Sequence, residues 1–371
     1  MIKNLRLINF KSFQDQSISF KPLTLLSGLN STGKSSVLQA LMLLRRSYQR
    51  DFLPNKGLIL NDEQVYIGTG QDALFEYAED ELIGFEIDLE NEHKGIWCFN
   101  YAKELDVLKI ASEKVDDKIY KSRLFNDKKF YYLKAERIGP QISYPMSEVD
   151  VIQKKQLGIN GEYATHFLDA FGNKDIHNKK LIHPKAKSLS LKDQVDAWMG
   201  EISPGISIKT EPNLQTQRVR LIYSFKESRG YSPFNVGFGV TYTLPILVAI
   251  LAAEPETLII VENPESHLHP KGQSQMGELL GIAASCGIQI VVETHSDHVL
   301  DGICLAVKHG EINSKEVQIH YFKREKIQGK MLTEIISPNI DQDGRIDEWP
   351  EGFFDQREND LMELTYNVRR D

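Results

Sequence analysis

The segment from Gly28 to Ser36, GLNSTGKSS, sets two glycines, a lysine and several hydroxyls in the spacing G-x-x-x-x-G-K-S. Glycines let consecutive backbone N–H groups converge into a nest, and a nest at a helix amino end wraps phosphate oxygens. In that frame Lys34 reaches the terminal phosphates and Ser35 offers its hydroxyl to Mg²⁺. Asn30, Ser31, Thr32, Gly33 and Ser36 complete the phosphate-facing loop. A second segment, LIIVENPESHLHP (Leu258 to Pro270), runs four apolar residues into Glu262. A carboxylate there is a hard oxygen donor that can hold Mg²⁺ directly or through water. Asn263 then stands where many nucleotide hydrolases carry a water-activating glutamate. An amide takes no proton in the working pH range, and general-base help is worth roughly 10²–10⁴-fold. Asn263 can still orient a water. Glu265 is either the substitute proton acceptor or a helix amino-end charge. In VVETHSDHVL, His295 follows an apolar run and can reach a γ-phosphate or the attacking water, while His298 reads as helix surface. His267 and His269 read as structural or interface residues. NVGFGVTYTLPIL sets Asn235, Gly237 and Gly239 before a helix, as a plain turn or as a second phosphate-facing nest exposed to another subunit.

These residues need a scaffold, and the flanking patterns supply one. LTLLSG reads as a strand leading into the loop, and KSSVLQALMLLRRSY as a helix with Val37, Leu38, Leu41 and Leu44 on one apolar face. The predicted single domain, 1–371, divides into N-terminal strands, loop and helix (1–50), an antiparallel β subdomain (55–140), a helical and strand insert (141–230), a core (231–330) and a tail (331–371). The β subdomain rests on the runs VYIGTG, IGFEIDL, GIWCFNY, DVLKIAS and FYYLKAE. The insert contains SLKDQVDAWMGEI, with a Ser190-x-x-Asp193 cap. From residue 235 helix and strand alternate, which predicts a mostly parallel, helix-flanked sheet and an α/β fold. Trp349, Phe353 and Phe354 are expected as buried anchors of the tail, for core packing or partner docking. RENDLMELTYNVRR is expected as a solvated terminal helix.

Composition narrows the function classes. The 371 residues carry 44 basic and 52 acidic side chains, a net charge of −8, which does not favour nucleic acid as an all-over partner but leaves a local contact open. Cys98, Cys286 and Cys304 are too scattered for a disulfide framework or a zinc site and suit a reducing cytoplasm. No uncharged apolar run spans a bilayer, and the charged amino terminus is no signal peptide. The expectation is a cytoplasmic protein without a membrane partner.

The order of phosphate loop, N-x-G-x-G before a helix, acid-x-P-E-x-x-L-H-P and x-T-H-S resembles the ABC-type ATPases of the Rad50, RecF and OLD group. The opening LRLINFKSF is similar to theirs as well. The tail DGRIDEWPEGFFDQRENDLMEL, with AERIGPQ and LGINGEYATHFL, resembles a short bacterial subfamily of ABC-type AAA ATPases, several of which sit in anti-phage or toxin-like operons. The resemblance implies an ABC-type head and ATP with Mg²⁺ as cofactors. It implies a homodimer sandwiching ATP, a larger assembly being left open, with Asn235, Gly237 and Gly239 as the signature loop. His295 would be the switch histidine, Glu262 the Mg²⁺ carboxylate and Gln141 the glutamine-loop contact to metal and nucleotide, with Arg137 as its competitor. Asn263 at the usual base position points to a slow ATPase, and the resemblance implies that it regulates a separate nuclease or toxin-like effector in defence; the alternative is a RecF-like repair ATPase that binds DNA directly. The roughly 200 residues between Lys34 and Gly237 lack heptads, which excludes long coiled-coil arms. Only 76 residues (371 − 295) follow His295, so any nuclease is expected to be another protein.

Overall fold

The computed structural model describes residues 1–226, 228–327 and 329–366. Its centre is a six-stranded sheet in the order Lys330–Ile336, Val317–Ile327, Leu23–Gly28, Gln289–Glu293, Leu258–Glu262, Phe130–Leu133. All neighbouring strands run parallel except the Lys330–Ile336 edge, which pairs antiparallel with Val317–Ile327. The inner strands are buried on both faces, which is why their sequences are apolar runs without alternation. Successive side chains nonetheless part company. Ile259 and Val261 join one core with the Phe238–Ala252, Pro270–Ser285 and Asp297–Lys308 helices. Leu258 and Ile260 join another, shared with the Lys34–Gln49 helix and a second sheet.

That second sheet is six-stranded and antiparallel, in the order Phe13–Ser19, Ile2–Phe10, Leu82–Leu89, Lys94–Asn100, Val107–Val115, Gly57–Ile59. A three-stranded sheet of Ile206–Asn213, Arg218–Phe225 and Tyr144–Pro145 completes the insert. The Pro270–Ser285 and Asp297–Lys308 helices touch backbone to backbone: a Cβ on Gly277 would lie 2.2 Å from the Val299 carbonyl oxygen, and one on Gly302 2.0 Å from that of Ser274. Larger residues would force these helices apart.

Three expectations need correction. FYYLKAE does not belong to the antiparallel subdomain. Phe130–Leu133 pairs in parallel with Leu258–Glu262, and its four residues are buried on both faces. VYIGTG forms an isolated bridge between Asn61 and Tyr66, and the chain then turns into the Gly70–Ala73 helix. Trp349 is 55% exposed, so of the three aromatic anchors only Phe353 is fully buried, with Phe354 half-buried. The Trp349 ring leans on that of Phe353 at 5.2 Å and leaves its outer face to solvent. The terminal helix spans Gln356–Tyr366, and the NVRR part of that expectation lies outside the described residues. No described helix is long and apolar enough to cross a membrane.

The Leu191–Ile202 helix is capped by Ser190, whose side chain accepts from the Asp193 N–H as the spacing predicts. On it Asp196 accepts the Ile208 N–H at 2.8 Å, and burial pushes its carboxyl up to about 6 from 3.8. Folding therefore favours the protonated acid. The penalty for holding the carboxylate is absent below about pH 4 and complete above about pH 6. Asp196→Asn, which keeps an acceptor for Ile208, is expected to raise stability at pH 8 by about 1 kcal/mol after allowance for partial exposure. The gain should vanish at pH 4, as read from thermal melts at both pH values; equal effects at both would reject the assignment.

Candidate nucleotide site

The site lies at the carboxyl ends of the parallel strands, where open α/β sheets bind their ligands. Leu23–Gly28 delivers the loop. Gly28 has φ 137° and abuts the neighbouring strand so closely that a Cβ would sit 2.1 Å from the Phe322 carbonyl oxygen. Ser31 (φ 63°) and Gly33 (φ 108°) are left-handed, and Gly33 caps the Lys34–Gln49 helix. The Thr32 hydroxyl closes the loop onto the Leu29 carbonyl at 2.8 Å, while Thr333 from the edge strand donates to the Thr32 carbonyl at 2.9 Å. Asn30, Ser31 and Ser35 are exposed, whereas Ser36 is buried in the first helical turn.

Lys34 is 3% exposed and donates to the carbonyls of Gly28 and Leu29, both at 2.8 Å. Burial pulls its ammonium below the usual lysine range, and Glu293 opposes the shift. Glu293 is the residue that sequence reasoning missed. It ends the strand beside Glu262, in direct register with it. Its carboxylate accepts from the Ser35 hydroxyl at 3.2 Å and stands 4.0 Å from the Lys34 ammonium. Burial first, and then the Glu262 charge, push Glu293 up to about 7, against the pull of Lys34 and Ser35. A signal was present in the sequence: an acid closes an apolar strand one residue before THS, a buried position that acids rarely occupy unpaired.

Glu262 accepts from the Tyr132 hydroxyl at 2.6 Å and from the Ala135 N–H at 3.2 Å. Asn263 turns the chain at φ 45°, a left-handed conformation that asparagine tolerates better than most residues. Its side-chain amide points toward Glu265 at 3.5 Å. The Glu265 oxygens accept from the Thr294 hydroxyl (2.8 Å) and the His295 N–H (3.0 Å), so this acid ties the two strand ends together. His295 faces solvent, and its imidazole is held toward the neutral form by desolvation and then by the Lys34 charge, with Glu265 opposing.

Other assignments separate. Arg137 is 4% exposed, and its guanidinium donates to the carbonyls of Lys134, Tyr242, Glu262 and Asn263. It clamps backbone and has no reach left for a phosphate. Gln141 is exposed, with its N–H on the Tyr144 hydroxyl, and does not line the phosphate-loop cavity. Asn235 and Gly237 are exposed at the amino end of the Phe238–Ala252 helix. Gly239 is buried instead, where a Cβ would lie 2.4 Å from the His267 carbonyl oxygen; it serves close packing. None of the three lines the cavity beside their own chain's phosphate loop. His267 packs its ring against Tyr242 at 4.7 Å, and His269 caps the Pro270–Ser285 helix.

A cavity of about 510 Å³ extends from the loop between Lys11, Gln39, Phe75, Tyr77 and Arg324. The Ser12 hydroxyl on its wall is buried without a hydrogen-bond partner among the described residues. The glycine-rich loop backbone, a half-buried tyrosine and this orphaned hydroxyl fit a nucleotide. No described group of three or more His, Cys, Asp or Glu could hold a metal alone. The hard oxygen donors Ser35, Glu262 and Glu293 are the residues that would hold Mg²⁺.

The family model described as "AAA ATPase domain" matches residues 1–228, more than half of the chain. The chain belongs to the AAA ATPase domain family. A second match to this ATPase, "AAA domain, putative AbiEii toxin, Type IV TA system", covers residues 157–301, and "Protein of unknown function (DUF3696)" covers 312–364. The fold is that of SMC heads. An SMC head bound to the C-terminal winged-helix domain of ScpA superposes with a TM-score of 0.55 at 12% identity, over 91% of this chain and 98% of that one. An SMC head with an extended coiled coil, bound to the C-terminal domain of ScpA derived from Pyrococcus furiosus, gives 0.54 at 10% identity, over 98% and 99%. No curated protein matches the ATPase at significant similarity.

Proposed function

We propose that this protein is a slow ATP-driven switch: two heads close around ATP, hydrolysis opens them, and the cycle regulates a separate effector in bacterial defence. The observation that carries the reading is the packing of Lys34, Ser35, Glu262 and Glu293 at the strand ends, beside a phosphate loop and without a glutamate at position 263. Lys34 would exchange its two loop carbonyls for β- and γ-phosphate oxygens. Ser35, Glu262 and Glu293 would hold Mg²⁺, which supplies charge stabilisation to the departing phosphate. Asn263 and the neutral His295 would orient the attacking water, while Glu265 keeps both strand ends in place. With no dedicated base, positioning and charge carry catalysis, and turnover is slow. The match of residues 157–301 to the family described as an AAA domain and putative AbiEii toxin of a type IV TA system supports a defence role. The three cysteines are free thiols, which suits a reducing compartment.

Gly237 offers a clean test of the head-to-head arrangement. It is exposed, and a Cβ placed on it would meet no atom within 4 Å, whereas substitution at Gly239 would collide with backbone. Gly237→Asp sets a carboxylate against the partner's γ-phosphate. ATP affinity should stay within about twofold, while ATP-dependent dimerisation, read by light scattering, should weaken at least about tenfold. An undiminished dimer would reduce this loop to a plain turn.

A further inference from the structure

We propose that a second cavity, at the end of the parallel sheet opposite the phosphate loop, binds a small organic anion with a flat apolar body. The cavity measures about 420 Å³ and opens where the Phe130–Leu133 strand begins, next to the carboxyl ends of the Ala164–Phe171 and Phe238–Ala252 helices. Its floor is apolar and aromatic, formed by Tyr131, Phe167, Phe171 and Leu251. Four lysines line its wall, and of these Lys128, Lys155 and Lys174 belong to no ion pair among the described residues, while Lys129 is paired. The acids of the wall do not answer them. Glu254 is taken by Lys129 at 2.8 Å and faces His177 at 3.7 Å, and Asp175 is solvent-exposed.

The crowding is specific. The Lys155 ammonium lies 3.4 Å from the centroid of the Phe171 ring, and that of Lys174 lies 4.9 Å from the same centroid. Burial, followed by the charges of Lys174 and Lys128, pushes Lys155 below the usual lysine range. Helix carboxyl ends attract cations to this region in general. They do not account for two ammonium groups set against one aromatic ring, with each lysine's charge felt by the other. An anion between the lysines relieves the repulsion, and an aromatic body attached to it fills the apolar floor. A pocket of this size, with a few convergent charges over aromatic walls, suits a ligand of aromatic-acid dimensions. Because it lies away from Lys34 and Ser35, occupancy does not compete with ATP.

Anilinonaphthalene sulfonate, an aromatic anion whose fluorescence rises in apolar surroundings, serves as the probe, with saturating ATP masking the phosphate-loop cleft. The parent should show saturable binding. The Lys155→Gln/Lys174→Gln variant, with an unchanged melting temperature, should bind at least about tenfold more weakly, as should uncharged phenyl-naphthylamine on the parent. The proposal is overturned if the variant binds within about twofold of the parent, if the uncharged analogue binds as tightly, or if ATP removes saturable binding altogether.

Discussion

Lys34→Ala is expected to lose ATP affinity by at least about a hundredfold. Each charge-assisted hydrogen bond to phosphate is worth roughly 1.5–3 kcal/mol, and Lys34 can direct two such bonds from a site where water screens little. Two bonds at the low end amount to about 3 kcal/mol, or roughly two decades in Kd. The same ammonium braces the loop through the Gly28 and Leu29 carbonyls, so its loss also loosens the nest that should wrap the phosphates. Calorimetric titration with ATP decides the matter, with a melting curve to verify folding. Affinity within about tenfold of the parent would remove the phosphate-loop assignment.

The second large effect concerns the paired acids. Glu262→Gln should lower phosphate release by roughly 10²–10³-fold, because it strips a charge from the metal side of the site. The amide also presents N–H where the Ala135 N–H now donates, which loosens the strand end. Glu293→Gln should cost less, about tenfold, since burial already holds this acid near 7 and the amide oxygen can still accept from Ser35. Mg²⁺ titrations of steady-state phosphate release on both variants should show raised midpoints. If Glu293→Gln is the more damaging, the acid beside Ser35 is the principal ligand and Glu262 is its support; if neither changes the midpoint, the pair is structural.

Much of this site was legible because its motifs are local. The spacing from Gly28 to Ser36 fixes a loop whatever surrounds it, and the strand and helix beside it have strong periods. The losses came where function depends on what lies opposite. Gly237 and Gly239 look alike in NVGFG, yet the His267 carbonyl behind Gly239 makes it a packing residue and leaves Gly237 to solvent. Arg137 reads as a phosphate contact until four carbonyls occupy it. Phe130–Leu133 is a short apolar run, and such runs do not reveal which sheet they join. The left-handed turn at Asn263 was likewise hidden, and it matters for redesign. Asn263→Glu would add a base at roughly 1–2 kcal/mol of backbone strain, beside the acid Glu265, which offsets much of the gain expected from a proton acceptor.

The Arg137 clamp also constrains motion. Its guanidinium holds the Glu262 and Asn263 carbonyls on one side and the Tyr242 carbonyl on the other, and Tyr242 sits in the first turns of the helix that begins after Gly237. A planar, always-charged group bonded to three segments acts as a strut. Any rearrangement of the Asn263 turn must either drag the Phe238–Ala252 helix with it or break charge-assisted bonds in the interior, which is costly. The Asn263 turn and the exposed loop at Asn235 and Gly237 are thereby geared together, with Arg137 as the tooth between them.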